Sequence, residues 1–256
     1  MASNKKIIVG NWKLHPTQLS EAKKIFSGVK RTAKSQRKTL AVICPPCIFI
    51  SELAKLSVKR AIELGAQDVF YEESGAFTGE VSAKMIRAAG GSYSIVGHSE
   101  RRRLGDTNTI IAKKLFAGVK AGLNMILCVG EHARDEHGIY LAYVHDQLLS
   151  ALEKINSKLL RSVIIAYEPV WAIGQSEKEA ITPRHLHEMV IYVKKLLSDK
   201  YGEASAASVL ILYGGSVFAH NAREFLTDGQ SDGLLIGRES LDYKDFDRIL
   251  KIANGI

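Results

Sequence analysis

Eight short apolar runs alternate with longer segments of helical period, and no other feature restricts the fold as much. The runs are Ile7–Gly10, Leu40–Cys44, Ile62–Ala66, Tyr93–Val96, Met125–Val129, Val163–Tyr167, Val209–Tyr213 and Gly233–Ile236. They are mostly apolar throughout rather than alternating, the pattern of parallel strands covered on both faces. Between them the predicted helices are Leu19–Thr32, Ile48–Ser57, Ile110–Ala121, Tyr140–Ile155, His185–Tyr201 and Tyr243–Ile252. Within Glu21–Thr32 the apolar residues Ala22, Ile25, Phe26 and Val29 recur at helical spacing. A strand–helix unit repeated eight times in 256 residues predicts an α/β fold: a single-domain (β/α)8 barrel over residues 1–256. An open doubly wound sheet stays as the alternative, because a pattern of runs carries no information about closure. No Pro/Gly/Ser-rich linker or low-complexity tract marks a domain boundary.

Composition removes several function classes. Hydrophobic residues at 46% and charged residues at 24% supply a sizeable core and argue against disorder. A net charge of +8 favours anionic partners in general. The lysines are dispersed, however (Lys23, Lys24, Lys113, Lys114, Lys194, Lys195), as on the solvent faces of helices. No basic stripe with interleaved aromatics is visible, so no nucleic-acid partner is expected. No apolar stretch approaches the roughly 18 residues of a membrane span, so no membrane partner is expected either. The opening residues run straight into a strand candidate without a signal-peptide core. Three cysteines make no disulfide framework, and a reducing, cytoplasmic setting is expected.

In such a barrel the chemistry belongs at the C-terminal ends of the strands. Asn11 and Lys13 follow the first run; His98, Ser99 and Glu100 follow the fourth; Glu168 follows the sixth. Glycine turns follow the seventh (Gly214, Gly215, Ser216) and the eighth (Gly237). A carboxylate such as Glu168 can take a proton from a carbon next to a carbonyl. An imidazole such as His98 can polarise that carbonyl and pass protons between its oxygens. The Lys13 ammonium supplies fixed positive charge for an anionic substrate. Glycine turns expose backbone N–H groups and suit phosphate. Singly, each has a plain structural reading: a strand cap, a satisfied histidine, a surface lysine, a turn. Their shared placement after strands of one repeating unit is what joins them. No metal site and no cofactor is expected from this set.

Cys44-Pro-Pro-Cys47 has the spacing of a redox or metal pair. A second pair is missing and two prolines separate the thiols, so it reads as a strand end turning into the next helix.

Several segments are similar to signatures of the triosephosphate isomerase family: Gly10-Asn11-Trp12-Lys13, Gly75-Ala76-Phe77-Thr78-Gly79-Glu80, Val96-Gly97-His98-Ser99-Glu100-Arg101-Arg102, Cys128-Val129-Gly130-Glu131, Ala166 to Gly174, and Tyr213-Gly214-Gly215-Ser216-Val217. They occur in the family's order and cover nearly the whole chain. The resemblance implies an aldose–ketose isomerase that interconverts dihydroxyacetone phosphate and glyceraldehyde 3-phosphate without a cofactor. It implies Glu168 as catalytic base and His98 as neutral electrophile, with Asn11 and Lys13 binding substrate. Glu100 would hold Lys13, and Ser99 would offer the resting Glu168 a hydrogen bond. Phosphate would be held by backbone N–H groups of Gly174, Ser216, Gly237 and Arg238. Ile173 and Leu235 would clamp the base, keeping water out and protecting the enediolate from losing phosphate. Pro169–Ala180 would be the lid, with Tyr213 reaching the Ala180 region. The Gly75–Glu80 loop would make a homodimer, with Phe77 as apolar anchor and Thr78 touching Asn11 of the partner subunit.

Two departures from the family pattern are visible. The lid tip reads Gly174-Gln175-Ser176-Glu177-Lys178, longer than usual and without its second glycine. Ser216 would therefore bond another partner on closure, with the Ser176 backbone as the candidate, and lid opening rates would differ from those of a variant carrying the usual tip. Arg238 replaces a second glycine after the eighth strand; its side chain is expected to point to solvent and pair with Glu239. The competing readings are another phosphate-binding barrel isomerase and an inactive barrel that acts as a binding protein; Asn11, Lys13, His98 and Glu168 outside one pocket would favour the latter.

Overall fold

The computed structural model describes residues 5–57, 61–135, 137–173 and 181–256. Its strands are β1 (Lys6–Asn11), β2 (Thr39–Cys44), β3 (Ile62–Ala66), β4 (Tyr93–Val96), β5 (Asn124–Val129), β6 (Val163–Tyr167), β7 (Ile211–Tyr213) and β8 (Gly233–Ile236). Each pairs in parallel with the next, and β8 pairs with β1 through Ile7↔Gly233 to Gly10↔Ile236. That last ladder closes the sheet and removes the doubly wound alternative. The fold is a single-domain (β/α)8 barrel.

Two layers of core explain the uninterrupted apolar strands. Val9, Val42, Ile95, Ile126, Ile164 and Leu212 belong to a cluster that fills the barrel. Their neighbours in sequence, among them Ile8, Ile43, Leu127, Ile165 and Ile211, pack instead with the helices. Alternate residues thus face two apolar environments, and no polar face is required.

The predicted helices exist, with shifted ends. Leu19–Ala33, Asn108–Lys120, Pro183–Tyr201 and Tyr243–Asn254 differ from expectation by a few residues at most. The segment predicted as Ile48–Ser57 is a 3-10 turn, Cys47–Phe49, and a short helix, Ile50–Ala54. The Tyr140–Ile155 prediction is cut at Ala151, and a separate turn of helix follows at Ser157–Leu160. Strand β7 starts two residues late. The Val209 N–H donates to the Ala206 carbonyl, and the Val209 carbonyl accepts from Lys194 Nζ, so neither joins the ladder. Cys44 is buried at the end of β2 and Cys47 opens the following turn, as the Cys-Pro-Pro-Cys reading expects; both thiols are free. Among the described residues no helix is long and apolar enough to cross a membrane.

Candidate active site

Strand β1 delivers Asn11 to the mouth of the barrel, where its Oδ1 accepts the Lys13 N–H at 3.1 Å. Lys13 has φ 54°, a left-handed conformation uncommon for a residue with a side chain. Gln67 holds it there, its Nε2 donating to the carbonyls of Lys13 (2.8 Å) and Cys44 (2.9 Å). Strain kept in place by such cross-links aims the side chain. Lys13 Nζ meets Glu100 Oε1 at 2.7 Å, the pairing expected from sequence. Burial pushes the Glu100 carboxyl up, but the Lys13 hydrogen bond and the charges of His98, Lys13 and Arg103 outweigh it and hold the group below its usual range.

Beyond β4, Gly97 turns the chain at φ 73° and His98 caps the short helix Ser99–Arg103. The His98 Nδ1 accepts the Glu100 N–H at 3.2 Å, so Nε2 is the nitrogen free to carry a proton into the barrel mouth. Arg102 ties this turn to β5, donating to the carbonyls of Gly97 (2.8 Å) and Cys128 (3.3 Å).

Glu168 follows β6 and is buried, its N–H bonded to the Val129 carbonyl at 2.8 Å. Its Oε1 lies 3.4 Å from His98 Nε2, while Oε2 has no hydrogen-bond partner among the described residues. Here the structure differs from expectation: Glu168 is turned towards His98, and no hydrogen bond from Ser99 reaches it among the described residues. The buried Cys128 thiol lies beside it; burial first, then the Glu168 charge, raises the thiol well above its ordinary pKa and keeps it neutral.

Two glycines make room for this base. A Cβ on Gly130 would lie 1.9 Å from the Glu168 carbonyl oxygen, and one on Gly214 would lie 2.7 Å from Glu168 Cγ. Gly130→Ala must therefore displace Glu168. A misplacement of about 1 Å at a reacting group costs on the order of a hundredfold in rate, and kcat of this variant should fall by about that factor. Steady-state kinetics check it, and a variant within twofold of the native chain would show that the base tolerates the shift.

Glu131, also buried, anchors the segment after Glu168. It accepts from Tyr167 Oη (2.8 and 3.1 Å) and Trp171 Nε1 (2.9 Å), and its carbonyl accepts the Val170 N–H. Burial, then the Glu131 charge, raises the Tyr167 phenol far above its usual range, so it stays a donor. Ser216 donates its hydroxyl to the Ala172 carbonyl at 2.9 Å. Ala172 is the hydroxyl's partner among the described residues, and the Ser176 backbone expected to bond it on closure lies outside them. Gly174, the lid tip and Ala180 lie outside the described residues. Tyr213 Oη is buried without a partner among the described residues. Strand β8 ends at Gly237, and Arg238 opens the 3-10 turn Arg238–Ser240, where its backbone is not in the left-handed region. Contrary to expectation, Arg238 and Glu239 form no ion pair among the described residues.

A cavity of about 310 Å³ brings together Asn11, Lys13, His98, Glu168, Ile173, Ser216, Leu235, Gly237 and Arg238. Ser99, Glu100 and Tyr213 do not line this cavity, and of the three Glu100 bonds one of its side chains, that of Lys13. Gln67, Glu131 and Arg102 join the site residues expected from the sequence. Gln67 and Glu131 stand just after β3 and β5, so the position that marks His98 and Glu168 also marks them. Among the described residues no group of three or more His, Cys, Asp or Glu is placed to hold a metal.

All four polar groups share one cavity, which removes the condition set for an inactive barrel. A carboxylate facing an imidazole, an ammonium beside them and glycine turns at the rim define a (β/α)8-barrel isomerase working by acid–base chemistry on a phosphorylated substrate. Comparison with known proteins narrows the class. The family model described as Triosephosphate isomerase matches residues 6–253. A triosephosphate isomerase of Thermus thermophilus is 41% identical over 250 residues, covering 96% of this chain and 98% of the relative. That of Cytophaga hutchinsonii is 39% identical over 251 residues, with 96% and 98% covered. That of Thermoanaerobacter pseudethanolicus is 38% identical over 246 residues, with 95% and 98% covered. The chain belongs to the triosephosphate isomerase family.

Proposed function

We propose that this chain interconverts dihydroxyacetone phosphate and D-glyceraldehyde 3-phosphate through an enediolate, with Glu168 as the base. The observation that carries the assignment of roles is the 3.4 Å approach of Glu168 Oε1 to His98 Nε2 inside the cavity that Lys13 also lines. Glu168 removes a proton from C1 of the ketone. The electron pair moves into the C1–C2 bond, and the carbonyl oxygen becomes an oxyanion that accepts a proton from His98 Nε2. His98 recovers a proton from the C1 hydroxyl, and Glu168 returns its proton to C2, giving the aldehyde. Lys13 stabilises the oxyanion and is itself held by Glu100. Ile173 and Leu235 exclude water above the carboxylate. The backbone N–H groups of Ser216, Gly237 and Arg238 donate to no acceptor within the fold among the described residues, which suits them to phosphate. A coupled assay of glyceraldehyde 3-phosphate isomerisation tests the reading; a purified, folded chain without turnover overturns it.

A homodimer completes the reading. A second cavity of about 550 Å³ adjoins the first, sharing Asn11, Lys13 and His98 and lined on its outer side by Leu14, Cys47, Phe70 and Leu104. Leu14 is 87% exposed and Leu104 77%, an apolar rim that a partner's Gly75–Glu80 loop would cover, and Phe77 of that loop is 42% exposed. The Phe77 ring packs on Phe70 with centroids 4.9 Å apart, which presents the loop as an anchor. The native chain of 28.1 kDa should sediment at twice that mass. Phe77→Glu should weaken association by about 2 kcal/mol, roughly thirtyfold. An active native monomer would contradict this. The free cysteines suit a reducing, cytoplasmic setting.

A further inference from the structure

We infer that the Arg238 guanidinium is a second phosphate-recognising cation, which makes Arg238 a specificity determinant for the phosphorylated substrate beyond what its backbone N–H supplies. This rests on the isomerase reading above. Arg238 lines the catalytic cavity together with Lys13, Ser216 and Gly237, and it is exposed at the rim rather than packed away. Its Cα is fixed: the Gly237 carbonyl accepts the Ser240 N–H at 3.0 Å and the Ser240 hydroxyl at 2.6 Å, and the Arg238 carbonyl accepts the Leu241 N–H. The Lys13 ammonium also approaches this turn, 3.9 Å from where a Cβ on Gly237 would sit. Two cationic residues therefore line one cavity beside Gly237.

The charge of Arg238 has no close partner among the described residues. Among the described residues its guanidinium makes no hydrogen bond or ion pair, although Glu239 is its chain neighbour and lines the same cavity. Burial first, then the Asp245 charge, raises the Glu239 carboxyl, and the nearby Arg238 charge only partly offsets this, without a hydrogen bond or ion pair between them. Lys13 differs in being held by Glu100 at 2.7 Å, which spends part of its charge on a carboxylate. The unspent cation at the rim is thus Arg238, and a phosphate dianion entering the cavity is the partner its planar, forked donors fit. At a solvated rim such a contact acts on capture more than on chemistry, and it is screened by salt.

The test compares the native chain with Arg238→Ala and Arg238→Lys in two independent readouts. Calorimetry measures affinity for inorganic phosphate. Kinetics measure the ratio of kcat/KM for glyceraldehyde 3-phosphate to that for D-glyceraldehyde, which has no phosphate. Arg238→Ala should weaken phosphate binding and lower the kinetic ratio, each by about three- to tenfold at low ionic strength. Arg238→Lys should recover part of both, and 0.5 M salt should shrink the difference. Unchanged phosphate affinity in Arg238→Ala, or an equal loss on both substrates, overturns the inference. If the native chain isomerises neither triose, the isomerase reading fails on its own, and phosphate affinity still decides the role of Arg238.

Discussion

Glu168→Gln should leave the barrel folded and lower kcat by roughly 10²–10⁴-fold, the range for loss of a general base. The amide matches the carboxylate in volume, so the packing against Gly130 and Gly214 is kept and the His98 contact remains within reach. What disappears is the carboxylate charge, and with it the basicity that takes the proton from C1. Binding groups elsewhere in the cavity are untouched, so KM should change far less than kcat. A coupled assay alongside a thermal melt separates the two effects. Turnover within tenfold of the native chain at unchanged melting temperature would show that another group is the base.

The largest loss of stability is expected from Gly233→Ala. Gly233 opens β8 at the seam of the barrel, opposite Ile7 of β1. An added Cβ would lie 1.9 Å from the Ile7 carbonyl oxygen, and that oxygen belongs to backbone on a central strand. No side chain can rotate to relieve the clash, so β8 must move away from β1 and weaken the ladder that closes the sheet. Overpacking costs about 1–3 kcal/mol in ordinary cores, and a backbone clash belongs at or above the upper end. For a chain of this size, a loss of about 3 kcal/mol lowers Tm by about 6–12 °C. A melt of the purified variant checks it; an unchanged Tm would mean that the seam has slack.

Strands were the most legible part of the fold. Runs such as Ile62–Ala66 and Val163–Tyr167 end where polar or turn residues begin, and β3, β4, β6 and β8 coincide with their runs. Closure was not legible, since Gly233 meets Ile7 across 226 residues of chain and only register reveals it. Helices Ala83–Ala88 and Ala222–Thr227 are six residues long, too short to display a helical period. In the site, Asn11, Lys13, His98 and Glu168 were readable because each stands just beyond an apolar run. Which way each side chain turns was not. Gly130 makes room for the Glu168 backbone and Gly214 for its side chain, and the Ser216 hydroxyl finds Ala172 through tertiary packing. Gln67 escapes a reading by chemical type, because an amide that props up a backbone carries no reactive group.

The central claim is that Glu168 moves a carbon-bound proton through an enediolate, and the direct measurement is isomerisation in D2O followed by NMR. The purified chain should form triose phosphate carrying a carbon-bound deuteron at the position that receives the proton, because a proton held on a carboxylate exchanges with solvent during turnover. Complete isomerisation without any deuterium in the product would point to direct hydride transfer between C1 and C2 and would contradict the account.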